Sequence, residues 1–259
     1  GDSSIFKIGK AMTFCVGIKV ESGLVSLSDS RITSGTQQLL GRKVSIHRVG
    51  GRDFFLMTSG LRSVRDKALT YFLESVETQG GQWNKLYKAV NRFSEEIRRT
   101  AEEDKKMLEE SGLPFDLHAM AGGQLADDES PRLFHIYPQA NWVEVTEETP
   151  YQIIGESGYG KPILDLGLTF KSSLREAMAA GFLAFDATRR SATGVGFPID
   201  LVCFQKGSNN LYHHCFKKTD VVDLCDFWKE RLRSAFKDFP LDWTETVLPP
   251  PVSPERRRA

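Results

Sequence analysis

The apolar positions of this chain shift period along its length. Between 13 and 59 they come in short runs of Val, Ile, Phe and Leu, broken by Gly or Gly-Gly. That pattern predicts strands at 13–20, 23–30, 44–49 and 53–59. The period then lengthens. Leu61, Val64, Ala68, Tyr71 and Phe72 share one face of a first helix, and Leu86, Val90, Phe93 and Ile97 keep the spacing i, i+4, i+7, i+11 on a second. The charged run from Glu102 to Lys106 reads as a solvated surface. Pro114 ends the helical stretch, and strands resume at 116–124, 131–138, 142–147 and 150–155. Helices follow near 160–169 and 172–189, then strands at 198–205 and 210–217. A last helix over 221–238 carries Val221, Cys225, Trp228, Leu232 and Ala235 on one face.

Runs of strands alternating with runs of helices predict α+β layering rather than a parallel βαβ sheet. The 259 residues suit one domain, placed at 13–243, with an extension at 1–12 and a Pro/Arg-rich tail at 244–259. The tail holds Pro249-Pro250-Pro251 and Arg256-Arg257-Arg258, and from Val247 it is expected to be extended, without helix.

Composition narrows the function classes. Lys plus Arg and Asp plus Glu are 34 each, so the net charge is zero. A nucleic-acid binder would carry a basic excess, so none is expected as a partner. Neutrality also leaves little repulsion against self-association. No run approaches a membrane span of about 20 apolar residues, and no charged-then-apolar signal opens the sequence. A cytoplasmic protein without membrane contact is the expectation. Cys15, Cys203, Cys215 and Cys225 lack metal-site spacing and read as buried, reduced thiols. His47, His118 and His135 sit in strand patterns and read as packed or surface residues. His213 and His214 are adjacent in a strand, so they face opposite ways and form no metal pair. The glycines at 155, 158 and 160 lack the pattern of a phosphate loop. No metal or cofactor is expected.

The candidate chemistry lies near the start. Thr13-Phe-Cys-Val-Gly-Ile-Lys-Val20 is followed by Glu21-Ser-Gly and then Leu24-Val-Ser-Leu-Ser-Asp-Ser-Arg31. A hairpin would set Asp29, at the end of the second strand, beside Thr13. Lys43 follows in Gly41-Arg-Lys-Val-Ser-Ile-His47. Threonine is a poor nucleophile without a base, and its own α-amine can act as one if Thr13 begins the chain. A nearby ammonium, here Lys43, would lower that amine's pKa toward neutrality, and Asp29 would hold the lysine.

The run TFCVGIKVESGLVSLSDSRITSG resembles the opening of a proteasome-type β subunit, an N-terminal-nucleophile hydrolase. Three further segments resemble the bacterial Anbu (ancestral β subunit) branch of that family. They are Ile154-Gly-Glu-Ser-Gly-Tyr-Gly-Lys-Pro-Ile-Leu164, Ser191-Ala-Thr-Gly-Val-Gly-Phe-Pro-Ile-Asp-Leu201, and the closing helix before Phe239-Pro-Leu-Asp-Trp243. The likeness runs from Thr13 to about Trp243. It implies a four-layer αββα sandwich of two mainly antiparallel sheets.

It also implies a threonine-type peptidase or amidohydrolase acting on peptide or protein substrates. Thr13 would be nucleophile, Asp29 its acidic partner and Lys43 the lysine. Thr58-Ser-Gly60 matches the oxyanion loop, with Ser59 or Gly60 donating an N–H. Ile32, Met57 and Leu61 match positions lining the substrate pocket, Met57 and Leu61 being open to a plain core reading as well. Thr33 would offer its backbone to an extended peptide. The family's second catalytic tier is altered. Ser157 and Ser191 are the candidate replacements, Ser191 standing where an aspartate is usual, and a structural turn role is equally open for each. The likeness further implies a homo-oligomer, as a ring or an open spiral. The alternative function is a non-catalytic assembly or scaffold subunit of the same fold.

Thr13 is internal here, and an amide nitrogen is no base. Met12-Thr13 is a pattern that methionine aminopeptidase trims, so Met12 reads as the natural start and the residues before it as an expression remnant. The rival is a propeptide removed by autolysis. Lys43→Ala is expected to remove activity with little change in stability.

Overall fold

In the computed structural model, Phe14–Val20 (β1) and Gly23–Asp29 (β2) form the expected opening hairpin around a turn at Glu21 and Ser22. The structure describes residues 13–34, 37–40 and 43–248, with backbone alone for 31–34 and 37–40. The chain divides into two units at Val221.

The first unit holds two five-stranded antiparallel sheets. One has the order β10-β1-β2-β11-β12, adding Tyr151–Gly155 (β10), Ile199–Gln205 (β11) and Leu211–Phe216 (β12). The other runs β5-β6-β7-β8-β9, built from Val44–Val49, Arg52–Gly60, Leu117–Gly123, Arg132–Ile136 and Trp142–Glu144. Between them in sequence, Arg31–Ser34 (β3) and Gln37–Leu40 (β4) pair as a separate hairpin.

Strand alternation builds three cores. Phe14, Val16 and Ile18 of β1 face Ala177, Ala180, Ala184 and Phe185 of α4 (Leu174–Ser191), while Leu164 joins them from α3 (Lys161–Gly167). Alanines on α4 let that helix approach β1 and β2 closely. Its start is fixed by a capping box between Ser173 and Glu176. On the other sheet, Phe54, Leu56, Ala119 and Ala121 meet Val64, Ala68 and Phe72 of α1 (Arg62–Gln79). They also meet Leu86, Val90, Phe93 and Ile97 of α2 (Leu86–Glu110). The remaining strand faces bring Cys15, Leu24, Phe55, Met57, Met120 and Leu133 together between the sheets. Each large apolar side chain so buried contributes about 1.5–3 kcal/mol. The result is the αββα sandwich the sequence implied.

The departures are local. Tyr71 lies off the buried stripe of α1, donates its hydroxyl to Glu103, and carries the Arg99 guanidinium over its ring at 3.7 Å. The short β3–β4 hairpin was not foreseen. Cys215 is exposed, whereas Cys15, Cys203 and Cys225 are buried as expected. In the second unit, α5 (Val222–Lys237) exposes Leu224, Phe227 and Phe236. The extension before Thr13 and the tail from Pro249 lie outside the described residues. Among the described residues no helix is long and apolar enough to cross a membrane.

Candidate active site

The β1–β2 register pairs Cys15 with Ser28, which sets the start of β1 against the end of β2. Asp29 uses one carboxylate oxygen, Oδ1, for three hydrogen bonds. It accepts from the Thr13 hydroxyl at 2.9 Å, from the Phe14 N–H at 3.0 Å and from Lys43 Nζ at 2.8 Å. Lys43 Nζ also donates to Thr13 Oγ1 at 2.7 Å. The hydroxyl, carboxylate and ammonium therefore close a triangle. It is nearly dry, with Thr13, Asp29 and Lys43 only 7%, 0% and 5% exposed.

Two sheets supply this triangle. Thr13 and Asp29 come from the first. Lys43 comes from the residue before β5 in the second, where its carbonyl accepts the Thr58 N–H at 2.8 Å and the Thr58 hydroxyl at 3.3 Å. Thr58 thus anchors the lysine from β6. The following Ser59 is buried, and Gly60 turns β6 toward α1 at φ +139°. A Cβ at Gly60 would lie 2.3 Å from the Asp116 carbonyl oxygen, so only glycine fits this turn.

Thr13 is also held through its carbonyl, which accepts the Glu156 N–H at 2.9 Å. Gly155 sits directly beneath at φ +90°, where a Cβ would meet that oxygen at 2.1 Å. Gly155 and Glu156 therefore act as a floor under Thr13. Ser157 is exposed in the turn before α3, and Ser191 is exposed at the last position of α4. Neither is among the described hydrogen-bond partners of the triangle given above.

Among the pocket candidates, Met57 is wholly buried in the inter-sheet cluster, and Leu61 packs partly buried against the helix-side cluster. Ile32 and Thr33 occupy β3, and their side chains lie outside the described residues. A second nucleophile, Cys15, lies on β1 two residues after Thr13. Burial pushes its thiol up to about 12, which leaves it protonated and inert near neutral pH. Of the histidines, His47 packs against Phe54 and Phe72, and His118 Nδ1 shares a hydrogen bond with His135 Nε2 at 3.1 Å. The described residues contain no cluster of three or more ligating side chains arranged for a metal ion.

Neighbouring this triangle is a second polar group that sequence reasoning missed. Ser30 Oγ donates to Asp200 Oδ2 at 2.6 Å, and His213 Nε2 lies 2.8 Å from Asp200 Oδ1. Asp200 was within sight, in Phe197-Pro-Ile-Asp200, but only the β2–β11 pairing of Ile199 with Asp29 brings it to Ser30.

No family model and no curated protein matches the chain. Solved structures do. An Anbu (Gly-1) mutant from Hyphomicrobium sp. strain MC1 is 31% identical at a TM-score of 0.78, over 87% of this chain and 98% of that one. The chain belongs to the Anbu family. Anbu from Yersinia bercovieri is 29% identical at a TM-score of 0.80, over 88% of this chain and 98% of its own. The helical assembly of the Anbu complex from Pseudomonas aeruginosa gives 28% and 0.83, over 88% and 98%. The Anbu fold thus spans this chain's two sheets and their helices, and the proteasome-like sandwich is common to all.

Proposed function

We propose that this chain is a threonine-type N-terminal-nucleophile peptidase or amidohydrolase that works within a self-assembled, proteasome-like particle. The observation that carries the reading is the Thr13 hydroxyl held between the Asp29 carboxylate and the Lys43 ammonium at 2.9 and 2.7 Å in a buried site.

In this reading the chemistry needs Thr13 as the first residue. Its α-amine then takes the hydroxyl proton as Oγ1 attacks the scissile carbonyl. Lys43 lowers the basicity of that amine and stabilises the alkoxide that develops. The carbonyl oxygen gathers negative charge as the tetrahedral species forms, and a backbone N–H of Ser59 or Gly60 receives it. The amide C–N bond breaks, the leaving amine carries off the proton, and water hydrolyses the ester left on Thr13. The substrate lies along β3 as an added strand at Thr33, with the partly buried Leu61 at the apolar wall of its pocket, while Met57 takes the core role that the sequence left open. No cofactor enters.

Self-association is supported by three features. The Pseudomonas relative is a helical assembly. The chain carries no net charge. Its α5 presents exposed Leu and Phe side chains. A ring or an open spiral satisfies all three.

The test uses protein whose chain begins at Thr13, incubated with a β-lactone or epoxyketone and weighed intact. One adduct per chain, on Thr13 and absent from Thr13→Ala, is expected. An adduct elsewhere, or none, overturns the hydrolase reading and leaves an assembly scaffold in its place.

A further inference from the structure

We propose that Asp200 is a positioning residue for the Thr13 site, acting through Ser30 on Asp29. The inference rests on the hydrolase reading above. Ser30 follows Asp29 directly and is pinned twice. Its N–H donates to the Pro198 carbonyl at 2.9 Å, and its hydroxyl donates to Asp200 Oδ2 at 2.6 Å. A hydroxyl-to-carboxylate bond of that length is charge-assisted and stronger than a neutral one. Both anchors belong to β11 or the residue before it. They grip β2 where its ladder ends and where the Asp29 side chain turns to Thr13.

Asp200 is itself held. It is 3% exposed, and His213 on β12 reaches its Oδ1 at 2.8 Å with an imidazole that is 28% exposed. A chain of contacts therefore runs from a partly open histidine, through a buried carboxylate and the Ser30 hydroxyl, to the backbone of Asp29. The order matters. In a Ser–His–Asp triad the imidazole stands between the hydroxyl and the acid. Here the acid is central, so His213 is out of reach of the Ser30 proton, and Ser30 is buried away from any substrate. These residues form no second nucleophile. What they do is fix a backbone.

Fixing it has a kinetic consequence. Asp29 Oδ1 sets both the hydroxyl direction of Thr13 and the place of Lys43 Nζ. A misplacement of about 1 Å at such a centre costs about 100-fold in rate. The ground-state fit of a substrate, which rests on other residues, is left alone.

The test compares covalent labelling by an epoxyketone in protein with a free Thr13 amine, separating kinact from KI. Ser30→Ala and Asp200→Ala are expected to lower kinact at least about tenfold with KI within about threefold. Ser30→Thr keeps the hydroxyl. Asp200→Asn keeps an oxygen for Ser30 and offers its amide to the other tautomer of His213. Both conservative variants are expected to label within about threefold of the parent. An unchanged kinact in Ser30→Ala overturns the proposal, as does a loss that falls on KI alone. Should Asp200→Ala fail to fold, Ser30→Ala decides. If the parent itself takes no label, the hydrolase reading has failed and the positioning claim is judged on the full chain by crystallography. Ser30→Ala should then move Asp29 Oδ1 more than about 0.5 Å from its place beside Thr13, and an unmoved Asp29 overturns it.

Discussion

Removing the Lys43 ammonium while Asp29 stays shows how the site is held together. The two side chains are 4% and 0% exposed and 2.8 Å apart. Their gross attraction at that distance is about 6 kcal/mol for an effective dielectric of about 20. Desolvation of both charges offsets it by several kcal/mol per ion, so the net worth of the pair is small. Breaking it is another matter, because Asp29 keeps its desolvation cost and loses its counter-charge. Lys43→Met, which retains the apolar stem, is expected to cost about 3–5 kcal/mol. For a domain of this size that is about 6–20 °C in Tm. The sequence alone had suggested that Lys43→Ala would leave stability little changed, and the burial of the pair reverses that expectation. Asp29→Asn leaves the mirror-image defect. The double variant Asp29→Asn/Lys43→Met lacks both charges and should lose at least about 1 kcal/mol less than the two single losses summed. Urea unfolding followed by tryptophan fluorescence measures all three. Single losses below about 1 kcal/mol, or additivity within about 0.5 kcal/mol, would refute the reasoning.

Gly155→Ala sets a Cβ against the Thr13 carbonyl at a left-handed φ. It should cost about 1–3 kcal/mol in backbone strain and slow labelling of Thr13; parent-like labelling and stability would remove the role of this floor. Burial pushes His47 and His135 down from 6.5 to about 4, with the neighbouring His118 adding to the effect on His135. Each folded value lies below the unfolded one. The stabilisation is therefore complete above pH 6.5 and is lost as the pH falls toward 4, on the order of 3 kcal/mol per histidine. Urea midpoints at pH 7 and 4.5 should show a shallower slope for His135→Gln than for the parent, and an equal slope argues against it. Light scattering of the full chain at micromolar concentration should give an oligomer, smaller after truncation beyond Trp243, whereas a monomeric full chain refutes self-association.

Much of this protein is legible in its sequence. Short apolar runs broken by Gly or polar turns place every strand of the two sheets, and β1 and β2, buried on both faces, read as near-continuous runs for that reason. The spacing of Leu86, Val90, Phe93 and Ile97 fixed the buried face of α2 for the equivalent reason. The Thr13-to-Asp29 separation was readable because both residues belong to one hairpin, whose turn length sets the register. The β3 and β4 segments, Arg-Ile-Thr-Ser and Gln-Gln-Leu-Leu, hold few apolar residues and did not stand out as strands.

What the tertiary structure decided concerns partners distant along the chain. Lys43 comes to Thr13 from the other sheet through its tie to Thr58. Asp200 reaches Ser30 across 170 positions of sequence, through a strand pairing that no local pattern encodes. The burial of the Lys43–Asp29 pair follows from the meeting of two sheets, and it determines whether removing a charge is harmless or costly. Local periodicity is dictated by the geometry of a single element. Desolvation and the convergence of side chains depend on which elements pack together, and that is a property of the whole fold.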